Sequence, residues 1–169
     1  GFTADNGKIR FGLNAVKNVG RNLIERVVEE RQEEPYSSLY DFCKRMHGTE
    51  LNRRAVECLI KAGAFDSMGV NRHSLVEAVD GIIKSVESDS RRNLEGQLDL
   101  FSVMSGESQT ADTDSYEIKP FPEYSHTELL QQEKEVSGLY LSGHPLDAYR
   151  EQSARFASNS IKELTSEDA

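Results

Sequence analysis

The spacing of apolar residues limits this chain to one kind of core. Leu75, Val76, Val79, Ile82, Ile83 and Val86 recur at the three-to-four-residue interval that lines one face of a helix. Leu23, Ile24, Val27 and Val28 form an earlier stripe, with Glu25, Arg26, Glu29 and Glu30 on the opposite face. Leu39, Phe42 and Met46, then Val56, Leu59 and Ile60, mark two shorter inward faces between them. The punctuation agrees with this reading. Pro35 ends the first helix, and Ser38 heads the second with Asp41 in a capping-box position. Asn52 caps the third, Gly63 stops it, and the longest helix begins near Asn71 after Gly69. Ile9-Arg10-Phe11-Gly12-Leu13 alternates apolar and polar residues, as a short extended lead-in does. No β-rich segment interrupts the helices, so the expected fold class is all-α.

The pattern fades at Ser88. Residues 88–122 are rich in Ser, Asp, Glu and Gly and read as a flexible linker. Glu128 to Val136 is expected as a charged helix, followed by the turn Ser142-Gly143-His144-Pro145, with Pro145 opening a last helix over 145–152. A hydrophobic fraction of 37% and a mean hydropathy of −0.60 fit an ordered core with wet flanks. No apolar run is long enough for a membrane span, and residues 1–7 lack the basic-then-apolar pattern of a signal peptide. Cys43 and Cys58 are too few for a disulfide framework and read as reduced core residues of a cytoplasmic protein. The net charge of −9 speaks at first sight against nucleic acid, but the charge is segregated. Residues 8–75 hold 12 Lys and Arg against 9 Asp and Glu, whereas residues 92–169 hold 6 against 15. The acidity belongs to the tail.

The stretch Lys17-Asn18-Val19-Gly20-Arg21 is expected to form a tight turn, with Gly20 at positive φ, opening directly onto a helix. The first turn of that helix offers unpaired N–H groups and the positive end of its dipole, which suit a phosphate oxygen of any sequence. Lys17 and Arg21 add charge on either side. A second turn of related design, through Gly69, Val70 and Arg72, enters the longest helix. Two such clamps side by side would hold a duplex backbone without reading its bases. The first turn is similar to the helix-hairpin-helix motif. Val19, Gly20 and Ile24 match its pattern, and Asn18, which tolerates left-handed backbone, replaces the first glycine.

Four longer phrases extend that likeness. They are Gly12-Leu13-Asn14-Ala15-Val16-Lys17-Asn18-Val19-Gly20, Leu51-Asn52-Arg53-Arg54, Leu59-Ile60-Lys61-Ala62-Gly63-Ala64-Phe65-Asp66 and Gly138-Leu139-Tyr140-Leu141-Ser142-Gly143-His144-Pro145-Leu146. In this order they resemble the alpha subunits of bacterial DNA polymerase III, the C-family polymerases, from about Ile9 to Tyr149. The resemblance implies an extended lead-in over 1–11 and a tandem helix-hairpin-helix DNA-binding domain over 12–87. It further implies a linker over 88–122 and a helical segment over 123–169 that leads toward an OB domain lying outside the chain. Within the linker, Gln97-Leu98-Asp99-Leu100-Phe101 is similar to the pentapeptide that binds the bacterial sliding clamp. By that resemblance Gln97 hydrogen-bonds at the pocket rim, while Leu100 and Phe101 fill an apolar pocket. A different expectation is that the pentapeptide packs back onto the helical core.

No catalytic constellation is legible. The aspartates are in no setting that matches the polymerase palm, and the four histidines and two cysteines lack metal-ligand spacing. No Walker-type loop is present. The expectation is therefore a non-catalytic segment without metal or cofactor. Its expected partners are duplex DNA, the sliding clamp and the rest of the polymerase holoenzyme, with no membrane. The alternative is a protein–protein scaffold in which the hairpins only pack.

Overall fold

The computed structural model describes residues 2–5, 7–95 and 115–157. The chain opens with a small antiparallel hairpin, β1 (Thr3–Asp5) against β2 (Lys8–Arg10), with Ala4 opposite Ile9. A 3-10 turn at Leu13–Ala15 leads, among the described residues, to six helices: α1 (Arg21–Glu33), α2 (Leu39–Arg45), α3 (Arg53–Lys61), α4 (Arg72–Glu95), α5 (His126–Ser137) and α6 (Arg150–Phe156). Among the described residues the fold is all-α apart from that hairpin, which occupies the expected lead-in.

Helix boundaries follow the local chemistry. Ser38 Oγ accepts the Asp41 N–H at 3.0 Å, and Asn52 Oδ1 accepts the Ala55 N–H at 3.0 Å. The capping box expected at Ser38 is only half made. The Asp41 carboxylate turns instead to the N–H and hydroxyl of Ser37, at 2.9 and 3.2 Å. A complete box closes α5, where Ser125 and Glu128 cap each other. The last segment is a 3-10 turn at Pro145–Tyr149 running into α6, rather than the single helix expected over 145–152.

The core sits where α2 and α3 pack on α4, around Leu39, Phe42, Met46, Ile60, Leu75 and Ile82, all fully buried. Phe42 meets Phe65 and Tyr36 edge-on at 5.1 and 5.0 Å.

The expected linker boundaries are wrong at both ends. Helix α4 continues to Glu95, and residues 115–125 lie along it as an extended strap running the opposite way. Tyr116 stands over Gly81, Phe121 exchanges hydrogen bonds with Ser74, and Glu123 reaches the first turn of α4. The composition of 115–122 hid this, because an extended strap needs only the side chains facing the helix, here Tyr116 and Ile118, to be apolar.

Gly81 explains the docking. A mid-helix glycine is weaker than alanine by roughly 0.5–1 kcal/mol. Here it leaves a notch, because a Cβ at this position would collide with the Tyr116 hydroxyl. Gly81→Ala is therefore expected to destabilise the chain despite its better helix propensity. Gly81→Ala in a Tyr116→Ala background should become neutral or stabilising. Urea unfolding of the three variants checks this, and a stabilising Gly81→Ala single variant would show that the Tyr116 ring swings out of the notch at little cost.

Candidate nucleic-acid interface

The first hairpin is fixed to the core from beneath. Val16 is buried with Cys58 of α3 and Val136 of α5, and the Lys17 N–H donates to the Val136 carbonyl at 2.8 Å. Asn18 Nδ2 donates to Cys58 Sγ at 3.3 Å. Positive φ falls on Asn18, at +61°, and not on Gly20, whose φ is −70°. The expectation for Gly20 is thus corrected. The turn is made two residues earlier by a residue whose short amide tolerates left-handed backbone, and Gly20 is the extended N-cap of α1.

Because Gly20 has no side chain, it supplies no cap. Among the described residues, none is bonded to the amides of Arg21, Asn22 and Leu23, so the first turn of α1 presents open donors at the positive end of a 13-residue helix. Lys17 and Arg21 are exposed beside them, Arg21 in a loose pair with Glu25 at 3.3 Å. Val19 is half-buried and packs inward. One acidic neighbour was not legible in the sequence. The Glu50 carboxylate accepts from Asn22 Nδ2 at 3.0 Å, and a Cβ on Gly20 would come within 3.3 Å of it. Glu50 arrives from the loop before α3, 28 residues away, so no local signal places it here.

The second hairpin is built differently. Gly69 does take positive φ, at +76°, and Val70 packs on the core. Arg72, expected to face DNA, is buried. Its guanidinium forms a fork on the two Asp66 oxygens at 2.9 and 2.7 Å, and reaches Glu133 at 3.1 Å and the Lys61 carbonyl at 3.2 Å. Those bonds take up four of its five N–H donors and hold the guanidinium in the interior, away from a phosphate at the surface. Gly63, at φ +80°, is required for this arrangement, since a Cβ there would lie 2.5 Å from Arg72 Nη2.

The helix end behind Gly69 is also filled. The Glu123 carboxylate accepts the N–H groups of Arg72 and His73 at 2.9 and 3.2 Å, and Asn71 Oδ1 accepts that of Ser74 at 2.8 Å. Burial pushes the Glu123 carboxyl up, but the N–H groups of Arg72, Tyr124 and His73 outweigh it and hold the group below the usual carboxylate range. An internal anion therefore occupies the place where a phosphate was expected. His73 stacks on Tyr124 at 4.4 Å and bonds the Pro122 carbonyl at 2.7 Å, which seats the strap.

Glu133 is the other residue the sequence concealed. Read along α5 it is one charge in a solvated face, yet it is fully buried. Besides Arg72 it holds the N–H groups of Leu141 and Ser142 at 2.7 and 2.9 Å. Gln97, Leu98, Asp99, Leu100 and Phe101 lie outside the described residues. Among the described residues there is no group of His, Cys, Asp and Glu able to hold a metal ion, and no helix is long and apolar enough to cross a membrane.

Residues 1–75 match a sequence family described as the helix-hairpin-helix motif. The DNA polymerase III subunit alpha of Borreliella burgdorferi is 38% identical over 161 residues, covering 95% of this chain and 14% of that protein. The subunit of Xylella fastidiosa strain Temecula1 is 42% identical over 145 residues (85% and 12%), and that of Escherichia coli K12 35% over 153 residues (90% and 13%). The chain thus spans about one seventh or less of the length of these curated relatives. With such identities across most of its length, and with a helix-hairpin-helix match over its first part, the chain belongs to the DNA polymerase III alpha-subunit family.

Proposed function

We propose that this segment grips the backbone of duplex DNA without reading its sequence, and tethers a replicative polymerase to its sliding clamp. The observation that carries the DNA-binding half is the open first turn of α1, with Lys17, Asn18, Val19, Gly20 and Arg21 around it and the turn pinned to Cys58 and Val136. The first hairpin is the phosphate contact. Gly69 and Val70 belong to a second hairpin whose helix end is held by Glu123, and they support the fold. The clamp-binding half rests on the match of residues 97–101 to the clamp pentapeptide in a chain of this family. Polymerisation itself belongs to other parts of the subunit, and this segment contributes grip. Two weak attachments on one chain raise each other's effective concentration, which is a route to processivity.

A salt titration with a mixed-sequence duplex tests the DNA-binding half. Binding is expected to be weak, indifferent to sequence, and to fall linearly on a log–log plot with salt. Lys17→Ala should weaken binding equally on all sequences and reduce the slope by about 1. A change in sequence preference instead would rule out the backbone clamp.

A scaffold role for the hairpins is the second reading, favoured by the Glu123 carboxylate in the α4 first turn and the Glu50 carboxylate beside α1. Absence of duplex binding even at low salt would select it.

A further inference from the structure

Helix α3 and the loop before it touch the first hairpin at two places that bracket Arg54. On one side Cys58 packs on Val16, and Asn18 Nδ2 donates to its Sγ at 3.3 Å. On the other the Glu50 carboxylate accepts from Asn22 Nδ2 at 3.0 Å and lies beside Gly20. Residues four apart on a helix share a face. Arg54 therefore stands on the side of α3 turned to the hairpin, one turn of about 5.4 Å from Cys58. It is exposed, and among the described residues no carboxylate pairs with it. Arg53 turns elsewhere, to Glu57 at 2.7 Å and to Asp80 of α4 at 3.1 Å.

Folding gives no reason for the second arginine. The first turn of α3 carries two cations and no acidic residue, at the end of the helix dipole that disfavours positive charge. Arg53 is compensated by its two carboxylates, and Arg54 is not. The helix end itself is capped by Asn52, so its amides are not the attraction. The uncompensated guanidinium stands instead next to Lys17 and the open first turn of α1.

We infer that Arg54 makes a second contact to the DNA backbone, on a phosphate neighbouring the one held at α1, and that Glu50 between them limits the strength of the grip. The inference rests on the first hairpin being a phosphate contact, and it adds the α3 face to that contact. A guanidinium on a long stem follows a phosphate without reading a base. Glu50 is exposed, and no cation neutralises it among the described residues, so it repels a phosphate brought to Gly20 and Asn22. A grip weakened in this way lets the duplex go quickly, since affinity is tuned mostly through the rate of release.

Salt titrations of a mixed-sequence duplex into the chain test it, with Lys17→Ala measured alongside. Arg54→Ala should weaken binding about ten-fold at low salt and lower the salt slope by about 1, equally on all sequences. Arg54→Lys should keep the slope. Lys119→Ala, which removes the same charge from the exposed strap, should leave it unchanged. Glu50→Gln keeps an acceptor for Asn22 and should tighten binding by about two- to five-fold, a gain that added salt erases. A parental slope in Arg54→Ala, with that of Lys17→Ala lowered, would overturn the inference and leave the hairpin contact standing. Equal losses in Arg54→Ala and Lys119→Ala would reduce both to net charge and overturn it, as would a Glu50→Gln affinity no higher than the parent's. Absence of duplex binding by the parent would remove the hairpin contact and this one together.

Discussion

Glu133→Ala is expected to lower the stability of the helical core by about 3–5 kcal/mol, the usual consequence of removing one partner from a buried ion pair. The site explains why the effect is so large. Glu133 is fully buried between α5 and the start of α4, and it accepts from Arg72 and from two backbone amides of the following loop. Its loss leaves the Arg72 guanidinium with one carboxylate, Asp66, which is half-exposed, and strands the N–H groups of Leu141 and Ser142. Arg72→Ala should be comparably severe, because it leaves the Glu133 charge buried. The double variant Arg72→Met/Glu133→Leu should recover only the part of the loss that comes from an unpaired buried charge, since it removes both charges together but still leaves the N–H groups of Leu141 and Ser142 without their acceptor.

The same carboxylate imposes a pH dependence. Burial pushes the Glu133 carboxyl up, but the N–H groups of Ser142 and Leu141, the Ser142 hydroxyl and Arg72 more than reverse this and hold it below the ordinary glutamate value. The unfolded chain therefore takes up this proton first as the pH falls. The stabilisation is fully present above the ordinary glutamate pKa of 4.5 and is lost as the pH drops through the lowered folded value. Glu123 acts in the same direction. Urea midpoints measured from pH 7 down to pH 3 should fall steeply for the parent and less steeply for Glu133→Gln. A Glu133→Ala loss below about 1 kcal/mol would place the pair at the level of exposed surface bridges.

The helices were legible because their signals are local. Ser38, Asn52 and Pro35 set boundaries through contacts within a few residues, and the stripes from Leu23 to Val86 show the core face directly. The site was legible only in part, because its decisive partners are distant in sequence. Arg72 looks like a free cation beside a turn until Glu133 arrives from 61 residues away. The α4 first turn looks open until Glu123 arrives from 51 residues away. Asn18 and Gly20 were both recognised as turn residues, but local preference could not decide which takes positive φ. The hydrogen bond from Asn18 to Cys58, 40 residues on, ties the turn to α3. The strap was missed because its partner is a gap, the missing Cβ of Gly81, which leaves no apolar signal to read.

Leu100→Ala/Phe101→Ala is expected to abolish measurable binding of the chain to a bacterial sliding clamp, a loss of at least about 100-fold. Each large apolar side chain that fills a pocket at an interface centre typically accounts for about 2 kcal/mol or more, and ~1.4 kcal/mol is ten-fold in affinity. Gln97→Ala should weaken binding less, by about ten-fold, because a rim amide lost to water is replaced by water. Calorimetric titration of parent and variants into purified clamp measures both. Duplex affinity should be unchanged in the double variant, since the hairpin and the pentapeptide are separate attachments, so the two halves of the proposed function fail independently. Retained clamp affinity in the double variant would move the tether to another part of the subunit. Loss of both activities together would instead mean that Leu100 and Phe101 support the helical fold, as the packed-back alternative requires.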